Sequence, residues 1–180
     1  NALEIEQKLN RAEAIKSAKR SFEIDILSGF KVLHVDPSIP DIEKLTKNSI
    51  MDICFELIEH CWSFAKKNNK DICFEIGTEE QSGLVTTIDE FEDQIVKINN
   101  FCSKNKIDLP LYVVAQTGTR VVETRNVGTF NHPVRVKNEM PPEIQIPKIL
   151  EICSRNNIFL KQHLNILIIL PDQVLKVDLA

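Results

Sequence analysis

Four short apolar runs in this chain each end in polar residues of the kind that build sites. They are Lys31–Asp36, Ile72–Glu79, Leu111–Gly118 and Ile158–His163, and a helix-like stretch lies in each gap between them. Short buried strands alternating with amphipathic helices are the pattern of parallel βαβ units. In such folds ligands bind beyond the carboxyl ends of the strands. His34, Asp36, Glu75, Glu79, Gln116, Lys161 and His163 are therefore expected on one rim, although they are scattered along the chain.

The spacing predicts a helix over Ala12–Ser28 that Gly29 stops, and a first strand over Lys31–Asp36 that Pro37 ends. Asp41–Thr46 is expected as a short helical turn. Asn48 or Ser49 is expected to cap a second helix reaching Lys67, with Ile50, Ile53, Cys54, Leu57, Ile58, Cys61, Trp62 and Ala65 on its apolar face. The second strand is Ile72–Ile76. Thr87 followed by Glu90 is a capping-box pattern for a third helix ending near Lys104–Asn105. The third strand is Leu111–Ala115. Residues 116–142 show no clear period and hold two glycines and three prolines. A connection this long is usually functional, so a flap over the rim is expected there. A fourth helix over Glu143–Arg155 leads to a fourth strand at Ile158–Lys161. Val174–Val177 is expected as a fifth strand.

With 180 residues the chain is read as a single domain, long enough for a sizeable core. Two α/β architectures fit: an open doubly wound sheet, or an arc of an eight-stranded barrel. A whole barrel takes roughly 250 residues, so the barrel reading is a partial one, cut at both ends. Net charge is −4 and no basic stripe with interleaved aromatics occurs, which argues against nucleic acid as a main partner. The five cysteines form no CxxC pair, and all lie in apolar helix or strand patterns. They read as free, core-packing thiols of a reducing cytoplasm. No secretory signal is seen, and the longest apolar stretch, Leu164–Leu170, is too short to span a bilayer.

His34 and Asp36 stand two apart on a strand and face the same side. A histidine with a carboxylate suits a divalent metal or an acid–base pair; the plainer reading is a histidine held by its neighbour. Glu75 lies on the second strand, Gly77 is expected to let the backbone turn, and Glu79 stands at the rim. These carboxylates can ligate metal, hold sugar hydroxyls or move protons. Gln116, Thr117, Gly118, Thr119 and Arg120 offer amides, hydroxyls and a guanidinium suited to phosphate, without P-loop spacing. An ordinary polar loop fits them equally well. Lys161 can form a Schiff base or neutralise a phosphate, and His163 can ligate metal. His60 reads as surface or packing, His132 lies in the expected flap, and Lys66, Lys67 and Lys70 read as a solvated helix end.

The segments HVDPS, EIGTEEQSG, VVAQTGT, LKQH and LKV occur in an order that resembles the non-catalytic subunit family of class II D-tagatose-1,6-bisphosphate aldolase, a group also labelled tagatose-6-phosphate kinase. The match spans most of Ala12–Val177. The resemblance implies a (β/α)8 barrel for ketohexose phosphates. Some members are accessory subunits of a catalytic aldolase, and others look like metal-dependent 4-epimerases. On this reading Asp36, Glu75 and Glu79 are catalytic candidates. His34 and His163 are ligands of a divalent metal, zinc or magnesium. Gln116–Arg120 and Lys161 bind phosphate. A non-enzymatic partner protein, associating through an apolar surface with an aldolase or into an oligomer, is the alternative. Two departures stand out. The family's early Asp-His pair before Gly-Pro has no counterpart here, and Leu164–Leu170 replaces a polar His-Asn-Thr-Asp-Tyr-Leu segment.

Overall fold

The computed structural model describes residues 11–36, 47–77, 87–115, 120–122, 125–127, 140, 142–161, 169–170 and 173–174. Helix α1 (Arg11–Ser28) leads to strand β1 (Val32–Val35), helix α2 (Lys47–Lys67) to β2 (Cys73–Gly77), and α3 (Ile88–Asn105) to β3 (Tyr112–Val114). A small hairpin, β4 (Arg120–Val122) and β5 (Arg125–Val127), precedes α4 (Pro142–Arg155) and β6 (Phe159–Lys161). Strands β7 (Ile169–Leu170) and β8 (Gln173–Val174) follow.

The four helices end in one way. Gly29, Asn69, Lys106 and Asn157 all have positive φ, between 53° and 96°. The residue after each donates its backbone N–H back into the last helical turn: Phe30 to Asp25, Lys70 to Ala65, Ile107 to Cys102 and Ile158 to Cys153. This left-handed cap satisfies carbonyls that the helix leaves open and turns the chain toward the next strand. The start of α3 is as the sequence predicts: the Thr87 hydroxyl accepts from the Glu90 N–H, and the Glu90 carboxylate accepts from the Thr87 N–H. Helix α2 begins at Lys47, so Asn48 and Ser49 lie inside it and neither caps it. The expected turn at Asp41–Thr46 lies outside the described residues.

Strands β1, β2, β3 and β6 form one parallel sheet in consecutive order. A doubly wound sheet reverses its order at a switch point. Here each crossover advances one strand in the same direction, which with a common hand puts every helix on the same face. The side chains agree. Leu33, Val35, Phe74, Ile76, Val113 and Leu160 join residues of all four helices in one core. On the other face Val32 and His34 are exposed, and Cys73, Tyr112, Phe159 and Lys161 are half-buried. The described sheet is an open one of four parallel strands.

One expectation is corrected. Val174 does not begin a fifth parallel strand: β8 pairs antiparallel with β7, Val174 against Ile169. Pro171-Asp172 sits between the two strands in sequence, so the short apolar tail pairs locally instead of joining the sheet. The rest of the expected fifth strand, Leu175 to Val177, lies outside the described residues. Within the region expected as a flap, the β4–β5 hairpin is antiparallel, with Arg120 opposite Val127.

Candidate functional site

Strand register decides which polar residues meet. His34 pairs in register with Glu75, and Glu75 with Tyr112, which pairs with Phe159. One step toward the carboxyl ends, Gly77 pairs with Val114, and Val114 with Lys161. Side chains in one register row project to the same face. His34, Glu75 and Lys161, far apart in sequence, thus share the face opposite the helix-packed core, where Val114 is also buried.

Glu75 is the centre. Its side chain is only 3% exposed, yet it carries a carboxylate. Lys161 Nζ donates to Glu75 Oε2 at 2.5 Å, reaching across β3 from the next strand but one. His34 Nδ1 lies 2.9 Å from Oε1. The histidine contact is an ion-pair approach rather than a bond along the ring N–H, so its strength depends on the imidazole carrying a proton. His34 and Lys161 keep side-chain exposures of 40% and 42%. The arrangement is therefore a buried anion with one cationic and one titratable group above it, both open to solvent. Such a cluster can hold a polar ligand and pass a proton between its members.

Asp36 lies close by. Its Cβ and the His34 Cε1 both border the space where a side chain at Gly77 would begin, so His34 and Asp36 lean together over the end of β2. The turn expected after Gly77 falls on residues 78–86, which lie outside the described residues. Gly77 is the last residue of β2, and among the described residues the glycine with positive φ is Gly29. The other expected groups divide as follows. Arg120 is the first residue of β4. Glu79, Gln116, Thr117, Gly118, Thr119, His132 and His163 lie outside the described residues. Two rings that sequence reading did not single out, Tyr112 and Phe159, share the row of Glu75, with centroids 6.1 Å apart. Part of the signal was present: Phe159 stands two residues before Lys161 on its strand, so it shares the face of that rim candidate.

The remaining candidates are structural. His60 Nε2 lies 2.9 Å from Glu23 Oε1 and ties α2 to α1. Lys66 is not simply solvated: its Nζ lies 4.3 Å from the Trp62 ring centre, a cation–π contact. Cys54, Cys61, Cys102 and Cys153 are buried and free. Burial pushes the Cys61 and Cys153 thiols up to about 12 and Cys102 to about 11. Cys54 is raised as well, first by burial and then by the negative charge of Asp36. Buried thiols held protonated are poor nucleophiles and poor metal ligands.

Among the described residues, no group of three or more His, Cys, Asp or Glu side chains stands ready to hold a metal ion. At Glu75 the Lys161 ammonium holds one of the two carboxylate oxygens. Also among the described residues, no helix is long and apolar enough to cross a membrane.

The described residues form a parallel α/β sheet with a charged cluster on one face. No protein-family model matches the chain, and no curated protein does. Among solved structures the chain is similar to the crystal structure of a protein described as a probable tagatose 6 phosphate kinase from Sinorhizobium meliloti. The TM-score is 0.61 and the sequence identity 14%, over 86% of this chain and 37% of that one. At this identity the likeness is one of fold, and the chain spans little more than a third of that protein's length.

Proposed function

We propose that this chain forms part of a (β/α)8 barrel that binds a ketohexose phosphate and serves as the accessory subunit of a class II tagatose-bisphosphate aldolase. The observation that carries the reading is the convergence of His34, Glu75 and Lys161 from three strands on the face of the sheet opposite the helices. In a barrel that face is the interior, and its carboxyl end is where ligands bind. The fold likeness to a protein titled as a tagatose-phosphate kinase and the order of the HVDPS, EIGTE and LKQH segments point to the same sugars.

In this reading Glu75 accepts sugar hydroxyls, and Lys161 offers its remaining N–H donors to a phosphate or a developing oxyanion. Arg120 and Gln116–Thr119 add phosphate contacts. A divalent zinc or magnesium ion at His34 would need His163 or Glu79 to complete its ligands, because Lys161 already holds Glu75.

A second reading, a ketohexose-phosphate 4-epimerase or aldolase in its own right, is favoured by one observation: Glu75 is a nearly dry carboxylate beside a titratable imidazole. Asp36 and Glu79 would then join Glu75 as acid–base groups.

One experiment separates these readings. The chain is assayed for cleavage and 4-epimerisation of ketohexose bisphosphates, with zinc or magnesium and with chelator, alone and with a class II aldolase. The accessory role predicts co-elution with the aldolase and a rise in its activity, weakened by Glu75→Gln. The enzymatic reading predicts turnover by the chain alone, lost in Glu75→Gln. No co-elution, no turnover and no shift in melting temperature with any ketohexose phosphate would sink both and leave a non-enzymatic interaction protein.

A further inference from the structure

We infer that Gly77 is a positioning residue, retained for its missing side chain, which lets His34 lie against Glu75. Gly77 closes β2 in ordinary strand geometry, so its backbone would accept another residue. The space would not. An added Cβ would stand 3.0 Å from Asp36 Cβ, 3.2 Å from Asp36 Cγ and 3.0 Å from His34 Cε1. Neighbouring strands lie roughly 4.7–4.9 Å apart, so β1 leans onto β2 at this point. Residue 77 also follows Glu75 by two positions and shares its face. The glycine thus makes a gap directly above the carboxylate, and the imidazole edge occupies it.

Cε1 and Nδ1 are bonded neighbours in the ring. Whatever pushes Cε1 away from residue 77 also moves Nδ1 from its 2.9 Å approach to Glu75 Oε1. Asp36 Cβ is fixed to the strand backbone and cannot yield. The His34 side chain is 40% exposed and can swing to solvent. A methyl at position 77 therefore displaces the ring and separates His34 from Glu75, while Lys161, on the far side, keeps its bond.

The inference rests on the proposed function only in treating His34 and Glu75 as working groups. Its test needs no ligand, so a failure of sugar-phosphate binding and a failure here are distinct. The imidazole nitrogen resonances of His34 are followed by NMR, assigned with His34→Ala. In the native background Glu75→Gln is expected to move them. In the Gly77→Ala background the same change is expected to leave them nearly still. Equal movement in both backgrounds overturns the inference.

Melting provides the second measurement. Gly77→Ala is expected to lower the melting temperature by at least about 2–4 °C, the shift that one unit of destabilisation gives a chain of this size. Part of that loss should return in Gly77→Ala/Asp36→Gly, which removes the opposing Cβ. If Gly77→Ala does not fold, the double variant decides alone: folding supports the space-making role, and failure to fold overturns it.

Discussion

Glu75 places a negative charge where little water reaches it, and that position fixes what its neighbours are worth. Removing Lys161 takes the ammonium from a carboxylate that is only 3% exposed; removing the charge of Glu75 leaves Lys161 42% exposed and able to hydrate. Breaking a buried pair from the exposed side is the costlier change. Lys161→Met is therefore expected to destabilise by about 2–3 kcal/mol and Glu75→Gln by about 1 kcal/mol. Urea unfolding of the two variants checks the order, and a larger loss in Glu75→Gln would refute it. The buried thiols set a pH dependence of their own. Their protonated forms are favoured in the native state, above an ordinary value of 9.0. Their contribution is whole below pH 9.0 and is lost as pH rises toward about 11 for Cys102 and about 12 for Cys61 and Cys153. Over that window each thiol lowers stability by about 1.4 kcal/mol per pH unit. Cys102→Ala should make the alkaline slope shallower, as read by urea unfolding between neutral pH and pH 10.5.

At the scale of elements, the helix ends differ in how plainly they are written. Gly29 and the Thr87–Glu90 box are readable from residue type alone, because each type has a local reason to stand there. Asn69 and Asn157 are weaker signals, since asparagine tolerates left-handed backbone but is common elsewhere. Lys106 carries no signal. It adopts φ 54° because Ile107 must reach the core while its N–H returns to Cys102, a requirement set by packing rather than by lysine. Lys106→Gly should therefore relieve strain and stabilise by about 1 kcal/mol. Thermal unfolding checks this, and a destabilised variant would show that the lysine stem contributes more than its backbone costs.

At the scale of the molecule, the described residues leave apolar surface exposed beside the first strand of the sheet. Among the described residues β1 pairs with β2 on one side, and Ile24, Leu27, Phe30 and Val32 beside it are 40–60% exposed. A strand edge flanked by apolar side chains invites association. Sedimentation at rising concentration is expected to show self-association, reduced by Leu27→Glu and Phe30→Lys with the far-ultraviolet spectrum unchanged. A monomer at all concentrations would count against this edge as a surface completed by other chain.

Local chemistry in the sequence was enough to determine the alternation of helices and parallel strands, the faces that form the core and four of the five cysteines as buried free thiols; Cys73 is half-buried on the opposite face instead. Periods of two and 3.6 residues are properties of neighbouring residues and need no fold to be read. The tertiary structure decided which strand ends touch. Sequence reading put seven residues on one rim; among those described, His34, Glu75 and Lys161 make the ion pairs and Asp36 packs against Gly77. It also decided that Gly77 lies tight against His34 and Asp36, and that Val174 pairs back on Ile169. Register and strand order follow from packing between segments far apart in the chain, and a one-residue slip would send each of these side chains to the opposite face.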